Sequence, residues 1–247
     1  MKFSFEIPIH SLEKLDSEQD YLFILGHHLE NQKYFDYCKN SKKFKILDNS
    51  AYELGESIPP KKLLEYAILL NVNVIILPDK IYDLKRSEQL EKIFFDELTK
   101  TKYKFKLMKV VCGDNIDEYL ENLIKSAKNK KYDILGLSQS RNNLTPNLSF
   151  CMKYLTTKVK DFNKDIHLLG MTTPFEIIEA KQWNQIKTVD TGRPINFAFQ
   201  NKTLPKLKKS SEYVKVSGYD IDTLNKLNVK LAKKNIRILK EYYGKDY

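Results

Sequence analysis

The chain has 247 residues, 42% of them hydrophobic, so it can bury a sizeable core and has the usual length of a single α/β barrel. It contains no run of about 18 apolar residues, and Glu6 and Pro8 interrupt the only apolar run near the N-terminus. These features argue against a transmembrane helix and a signal peptide and predict a cytoplasmic protein with no membrane partner. The three cysteines are widely spaced, which argues against a disulfide framework and a cysteine-rich zinc site.

The balance of charge is strongly basic. Lysine and arginine together number 42, and the formal net charge is +10. Such an excess favours a polyanionic partner, because binding releases counterions from the polyanion. It is equally typical of lysine on the solvated faces of helices, so both interpretations stay open on composition alone.

Short apolar runs alternate with helix-patterned segments along the chain. The predicted strands lie at residues 21–25, 44–47, 72–77, 105–111, 132–137, 166–169 and 186–189. An alternating segment at 3–9 is predicted to close or plug one end of a barrel. Residues 195–199 are a candidate eighth strand, although no helix fits in front of them. Helical spacing predicts a final helix at 221–243 with one lysine-rich face.

This alternation predicts the α/β class, with a single, somewhat irregular (β/α)8 TIM-like barrel over 1–247 and a basic C-terminal extension from about 202 to 247. An open parallel sheet is the alternative. Asp48, Asp79 and Asp190 each stand where a predicted strand ends, and the carboxyl ends of barrel strands share one rim. We therefore expect the three acids to meet there, which is costly unless a ligand or catalysis uses them. Taken singly, each could be a helix N-cap or a turn residue.

Five short segments carry a resemblance to a known family. LLGMTTPFEI, which contains Gly170, and then VDTGRP resemble a Leu/Met-Gly-x-x-x-Pro segment followed by a nucleophilic aspartate. LDNSAYELG resembles an Asp-Ser-Gly-Gly-Phe/Tyr segment, LPDK a base-recognising aspartate, VVCG a Val-Gln-Gly and GLSQS a Gly-Gly-Leu-Ala loop. Counted with LLGMTTPFEI and VDTGRP as one segment and taken in chain order, the five segments resemble the guanine transglycosylases over residues 44–194. The resemblance implies a TIM-like barrel and a glycosyltransferase that exchanges one nucleobase for another.

The resemblance implies a role for each of the three acids. Asp190 corresponds to the nucleophile, which attacks C1′ of a guanosine and holds the sugar as a covalent glycosyl-enzyme. Asp48 corresponds to the acid/base that exchanges a proton with the departing and incoming bases. Asp79 would accept hydrogen bonds from N1–H and the amino group of a guanine-like base. His167, in the strand before Asp190, is interpreted as a hydrogen-bonded core residue.

Further positions are implied for binding the base. Tyr52 and Leu169 would sandwich the base plane, and Gly136 and Leu137 would offer backbone groups to its carbonyl or its 7-substituent. Cys112 stands where the tRNA-directed members carry a glutamine, which alters the set of groups that select the incoming base. No cofactor and no metal site are expected.

The nucleic-acid substrate that the resemblance implies is DNA. The tRNA-directed members carry a zinc motif after the nucleophile, whereas no Cys or His follows Asp190 in this chain. The chain looks more like the DNA-directed phage and bacterial enzymes, which exchange guanine for a 7-deazaguanine such as preQ0; for a phage-encoded chain the compartment is the host cytoplasm. Double-stranded DNA would have to present a flipped guanosine. The candidate phosphate contacts are Arg141, Arg193, Lys206, Lys208 and Lys209. A tRNA substrate and a non-catalytic nucleic-acid-binding barrel are the alternatives.

Overall fold

The structure, a computed structural model, describes residues 1–138, 147–171, 174–204 and 227–244. Its centre is a ring of eight strands in the order β1-β8-β7-β6-β5-β4-β3-β2. The strands are β1 (Lys2–Phe5), β2 (Leu22–Leu25), β3 (Lys45–Asp48), β4 (Val74–Ile76), β5 (Lys106–Val111), β6 (Ile134–Ser138), β7 (Asp165–Leu169) and β8 (Ile186–Thr191). All neighbouring pairs in the ladder are parallel. The carboxyl ends therefore share one face, the mouth of the barrel, and the predicted (β/α)8 fold is confirmed.

Helices follow the strands and cover the outside of the ring. They are α1 (Leu12–Leu15), α2 (Gln32–Asn40), α3 (Ala51–Leu54), α4 (Pro60–Leu70), α5 (Leu84–Thr99), α6 (Ile116–Lys128), α7 (Leu148–Lys158), α8 (Pro174–Lys181), α9 (Arg193–Phe199) and α10 (Val229–Gly244). Side chains that accept a backbone N–H cap the N-termini of α2, α5, α6 and α7: Asn31, Asp83, Asn115 and Asn147. Pro60 begins α4, where a missing N–H costs no intrahelical hydrogen bond.

Side chains close the ring between β1 and β2. Ser4 Oγ accepts a hydrogen bond from Phe23 N (3.0 Å) and donates one to Gln19 Oε1 (3.0 Å). Gln19 Oε1 also accepts from Phe5 N (3.3 Å). The alternating segment predicted at 3–9 thus supplies a strand of the barrel, and its register with β8 sets Ser4 beside Asp190.

Two predicted elements differ from the structure. The candidate strand at 195–199 is wrong, because these residues belong to α9, which directly follows β8. Pro194 lies in the first turn of α9, where its fixed φ suits a helix, and Ile195 and Ala198 are fully buried one helical turn apart. The final helix begins at Val229. Asn228 precedes it and accepts a hydrogen bond from the backbone N–H three residues later; residues 221–226 lie outside the described residues.

Apolar side chains pack on both sides of the strands. A larger apolar layer lies between the strands and the helices, and α10 packs against α8 and α9. The interior of the ring holds a second cluster of Tyr21, Ile46, Val74, Ile76, Met108, Val110 and Ile134. This cluster makes the barrel a packed core beneath its mouth. Within the described ranges, no helix combines the length and the apolar character needed to cross a membrane.

Candidate active site

The three sequence-predicted acids lie together at the mouth of the barrel. Asp190 is the penultimate residue of β8, Asp48 ends β3, and Asp79 follows the end of β4 by three residues. Burial raises the pKa of Asp48 well above its ordinary value, and the charges of Glu53, Asp190 and Asp79 raise it further. The acids are therefore close enough to influence one another's ionisation.

Asp190 is held firmly and is only 3% exposed. Its Oδ1 accepts hydrogen bonds from His167 Nε2 (2.9 Å) and Gly170 N (3.2 Å), and the same Gly170 N–H also lies 3.2 Å from Oδ2. Met171 N donates to the backbone carbonyl of Asp190 (3.0 Å). Gly170 has φ +59, a left-handed conformation that glycine adopts without strain. The turn after β7 thus directs two successive N–H groups to Asp190.

His167 lies inside the barrel directly beneath this carboxylate. It is fully buried, and its Nδ1 is 2.8 Å from Thr188 Oγ1 on β8. Its ring stacks on Phe23, with 5.4 Å between centroids and 6° between planes, and it meets the edge of Tyr21. The interpretation of His167 as a hydrogen-bonded core residue is confirmed. The sequence alone does not identify Asp190 as its hydrogen-bond partner, because this contact depends on the pairing of β7 with β8.

Two further acids at the mouth were missed by sequence reasoning. Burial raises the pKa of Glu6 to about 8, and the charges of Asp190 and Glu53 contribute. Glu53 is exposed at the lip of the mouth, where partial desolvation and then Asp190 raise its pKa. A signal for Glu6 was present, because it follows Ser4 by two residues in an alternating segment and so shares its inward face. For Glu53, the only sequence signal was its place next to Tyr52 in the Asp48 segment.

Asp79 is positioned by the turn that follows Asp48. Asn49 Nδ2 donates to Asp79 Oδ1 (3.0 Å) and to the carbonyl of Leu77 (2.6 Å), while Asn49 Oδ1 accepts from Ala51 N (2.8 Å). Asp79 is only 4% exposed. The residues that follow β3 therefore fix two acids on neighbouring strands.

The same turn also holds Asp48. Ser50 N donates to Asp48 Oδ2 (2.8 Å), and Ser50 adopts a left-handed φ of 61°. Ser50 Oγ accepts a hydrogen bond from His27 N (3.0 Å) and lies 2.9 Å from His27 Nδ1. Burial, followed by His28, lowers the pKa of His27 to about 4. A neutral imidazole therefore supports the Asp48 turn at neutral pH.

The residues assigned to the base lie around the mouth in different settings. Tyr52 is 70% exposed, whereas Leu169 is partly buried at the end of β7. Cys112 follows β5, and its carbonyl accepts a hydrogen bond from Asn122 Nδ2 (3.0 Å). The roles assigned to the three residues stay predictions.

Gly136 and Leu137 lie within β6, paired on both sides with β5 and β7. Leu137 is fully buried in the layer beneath the helices. A Cβ on Gly136 would lie 3.0 Å from Leu169 Cδ1 and 3.3 Å from Met108 Sδ. A larger residue at this position would therefore require Leu169 and Met108 to shift by a few tenths of an ångström, independently of any contact with a base.

The candidate phosphate contacts are only partly described. Arg193 begins α9, and its guanidinium lies over the ring of Phe197, 5.3 Å from the centroid. Arg141, Lys206, Lys208 and Lys209 lie outside the described residues. The positively charged surface predicted for the nucleic acid therefore stays a prediction.

Elsewhere in the described part of the chain, neither a groove nor a metal-binding cluster gathers acids as the mouth does. An open groove of about 1070 Å³ lies between the segment at 9–16 and α2, lined by charges of both signs. It contains none of the five acids of the mouth. Among the residues that the structure describes, no group of three or more His, Cys, Asp or Glu side chains is arranged to hold a metal ion. Cys38, Cys112 and Cys151 are thiols that take part in no disulfide bond.

Comparison with known proteins does not identify a family for this chain. No protein-family model matches the chain, and a search of curated proteins finds no match. The chemistry of the site must therefore be argued from its residues. A buried, hydrogen-bonded carboxylate beside acids whose pKa values are raised is an arrangement suited to nucleophilic attack coupled to proton donation.

Proposed function

We propose that the protein is a DNA-guanine transglycosylase, which exchanges guanine in DNA for a 7-deazaguanine base such as preQ0. The observation that carries this proposal is the different setting of two acids at one mouth. Asp190 is held by hydrogen bonds that favour a carboxylate. Burial and neighbouring acids keep the pKa of Asp48 raised. One group suits a nucleophile and the other a proton donor.

The reaction divides into two displacements at C1′ of the flipped nucleotide. In the first, a carboxylate oxygen of Asp190 forms a bond to C1′, and the electron pair of the C1′–N9 bond leaves with guanine, which takes a proton from the Asp48 carboxyl. In the second, the incoming base gives a proton to Asp48 and attacks C1′ through N9, which releases the Asp190 carboxylate. The covalent intermediate replaces one difficult step with two easier ones.

The surrounding acids favour this assignment of protons. When Asp190 is anionic, its charge opposes ionisation of Asp48 and of Glu6. A proton retained on Asp48 lowers the repulsion among the acids of the mouth, because Asp190 and Asp79 both raise the pKa of Asp48. Asp48 is therefore suited to give a proton to a leaving base.

The choice of base is assigned to Asp79. Asn49 Nδ2 donates to Asp79 Oδ1, and an ionised carboxylate can accept hydrogen bonds from more than one donor, including those of a base. Guanine and 7-deazaguanines share the N1–H and the exocyclic amino group that such an acceptor recognises. Cys112, in place of an amide side chain, removes one donor from the base site and leaves a smaller, less polar contact at that position.

The nucleic-acid substrate is assigned from charge and from the resemblance. A net charge of +10 favours a polyanion, and the missing zinc motif favours DNA over tRNA. The ionised acids of the mouth repel phosphates, so we expect the backbone to be held outside the mouth while only the base and sugar enter. In duplex DNA this entry would require a flipped nucleotide.

A labelling experiment tests the proposal. Purified protein is incubated with radiolabelled guanine and, in parallel, duplex DNA, single-stranded DNA or tRNA, with Asp190→Asn as the matched inactive variant. We expect incorporation into DNA by the wild type only, and chase of the label by unlabelled preQ0. Incorporation into tRNA alone would move the assignment to tRNA. Folded wild type that binds DNA in a salt-dependent way but incorporates nothing into any substrate would refute the enzyme and favour a binding protein.

A further inference from the structure

A polar chain extends from the Asp190 carboxylate into the interior of the barrel. It runs from Thr188 Oγ1 through both nitrogens of His167 to Asp190 Oδ1, with separations of 2.8 and 2.9 Å. His167 is 0% exposed and lies beneath the carboxylate, inside the packed interior of the barrel. A substrate in the mouth therefore meets Asp190 and not the imidazole.

The partners fix where the protons of this chain reside. An ionised carboxylate can only accept hydrogen bonds, so His167 Nε2 must carry the hydrogen that joins it to Asp190. In the neutral ring, Nδ1 is then an acceptor, and the Thr188 hydroxyl donates to it. Phe23 covers the face of the ring and Tyr21 meets its edge, so the ring cannot rotate without repacking the interior.

The two oxygens of Asp190 are held unequally. Among the described residues, Oδ1 accepts from His167 and Gly170, while Oδ2 shares only the Gly170 N–H. A carboxylate oxygen with two donors is less basic than its partner, because its lone pairs are engaged. The geometry thus distinguishes one anchored oxygen from one that can form a new bond.

We propose that His167 is a positioning residue that anchors Asp190 through Oδ1, so that Oδ2 is the oxygen which attacks C1′. This inference rests on the proposed function for its chemical consequence, but the anchor itself does not depend on it. Thr188 acts through His167 by fixing the tautomer with the hydrogen on Nε2. The arrangement holds the nucleophile in a single orientation among four other acids.

Three variants test the anchor through activity. His167→Leu removes the donor at similar size, His167→Gln can place an amide N–H near the same point, and Thr188→Val removes only the hydroxyl that fixes the tautomer. Glu91→Gln, which weakens a buried ion pair with Lys109 on the outer side of the barrel, is the matched control for lost stability. We expect kcat of exchange to fall about 100-fold in His167→Leu with KM for DNA unchanged. The kcat of His167→Gln should be about tenfold higher than that of His167→Leu. Thr188→Val should lower kcat less than His167→Leu does, and Glu91→Gln should keep the wild-type kcat.

A measurement without substrate separates this inference from the proposed function. In the spectrum of protein labelled with 15N-histidine, the resonances of His167 should report hydrogen on Nε2, and Asp190→Ala should shift them. A ring with hydrogen only on Nδ1, or one unaffected by Asp190→Ala, would overturn the anchor whether or not the protein exchanges bases. If the wild type exchanges bases and both His167 variants match it, the inference fails while the proposed function stands. If no exchange occurs but the resonances behave as expected, the anchor stands and the proposed reaction fails.

Discussion

Replacing Glu6 with glutamine should stabilise the folded protein at neutral pH. Burial, with the charges of Asp190 and Glu53, raises the pKa of Glu6 from 4.5 to about 8. Between these two pH values the folded protein holds the proton of Glu6, whereas the unfolded chain has released it. Raising the pH through this window therefore favours the unfolded chain. The stabilising effect of the protonated side chain is complete below pH 4.5 and is lost as the pH rises toward 8.

The size of the effect follows from the width of this window. Each pH unit within it changes the free energy of unfolding by about 1.4 kcal/mol, so the ionisation of Glu6 opposes folding by about 3 kcal/mol at pH 7. Glutamine keeps the shape of the protonated acid but cannot ionise. We expect Glu6→Gln to raise the free energy of unfolding by about 1–3 kcal/mol at pH 7, with little difference from the wild type at pH 4.

Urea unfolding at several pH values measures this difference directly. Glu13→Gln removes the same charge from an exposed position on α1 and serves as the control. The difference between wild type and Glu6→Gln should grow steadily from pH 4.5 to 8, and the Glu13→Gln variant should lack this trend. Parallel pH profiles for wild type and Glu6→Gln would refute the placement of Glu6 in the acidic mouth.

Three further substitutions test the packing and the polar contacts. Gly136→Ala places a methyl group 3.0 Å from Leu169 Cδ1 and should cost about 1–2 kcal/mol in urea unfolding, whereas a gain in stability would contradict the tight interior. Asn49→Ala removes the amide that donates to Asp79 and to a backbone carbonyl. We expect the free energy of unfolding to fall by about 1–3 kcal/mol and the KM for the base to rise in the exchange assay. An unchanged KM would argue against Asp79 as the base acceptor. Glu91→Ala leaves the half-buried Lys109 without its partner at 2.6 Å. It should cost about 1–3 kcal/mol by thermal or urea unfolding, with kcat unchanged; a loss of kcat would mean that the outer wall affects the mouth.

The barrel could be predicted because most of its strands have a recognisable local sequence pattern. Runs such as 74–76 are apolar on both faces, as buried parallel strands require, and turn residues and prolines separate them from helices. The segment at 195–199 could not be assigned in the same way, because its apolar residues fit both a two-residue and a helical repeat. Pro194 and the packing of Ile195 and Ala198 against the body decide in favour of α9.

The residues of the candidate site could be predicted only where the order and direction of the strands alone place them at the mouth. Asp48, Asp79 and Asp190 follow from the rule that parallel strands end at one mouth. Glu6 reaches the mouth because β1 joins the ring beside β8, a pairing between distant parts of the chain that no local pattern encodes. The bond from His167 to Asp190 depends on the register between β7 and β8, which shifts between Ile166 and His167.

The proposed reaction depends on Asp190 as the nucleophile, and detection of the covalent intermediate tests this role directly. Duplex DNA containing guanine is incubated with the protein in the absence of free base, the mixture is denatured, and the adduct is digested and mapped by mass spectrometry. The account predicts a deoxyribosyl-DNA adduct on the peptide that contains Asp190, absent in Asp190→Asn and discharged by adding preQ0 before denaturation. An adduct on another side chain, or an equal amount of adduct with Asp190→Asn, would contradict it.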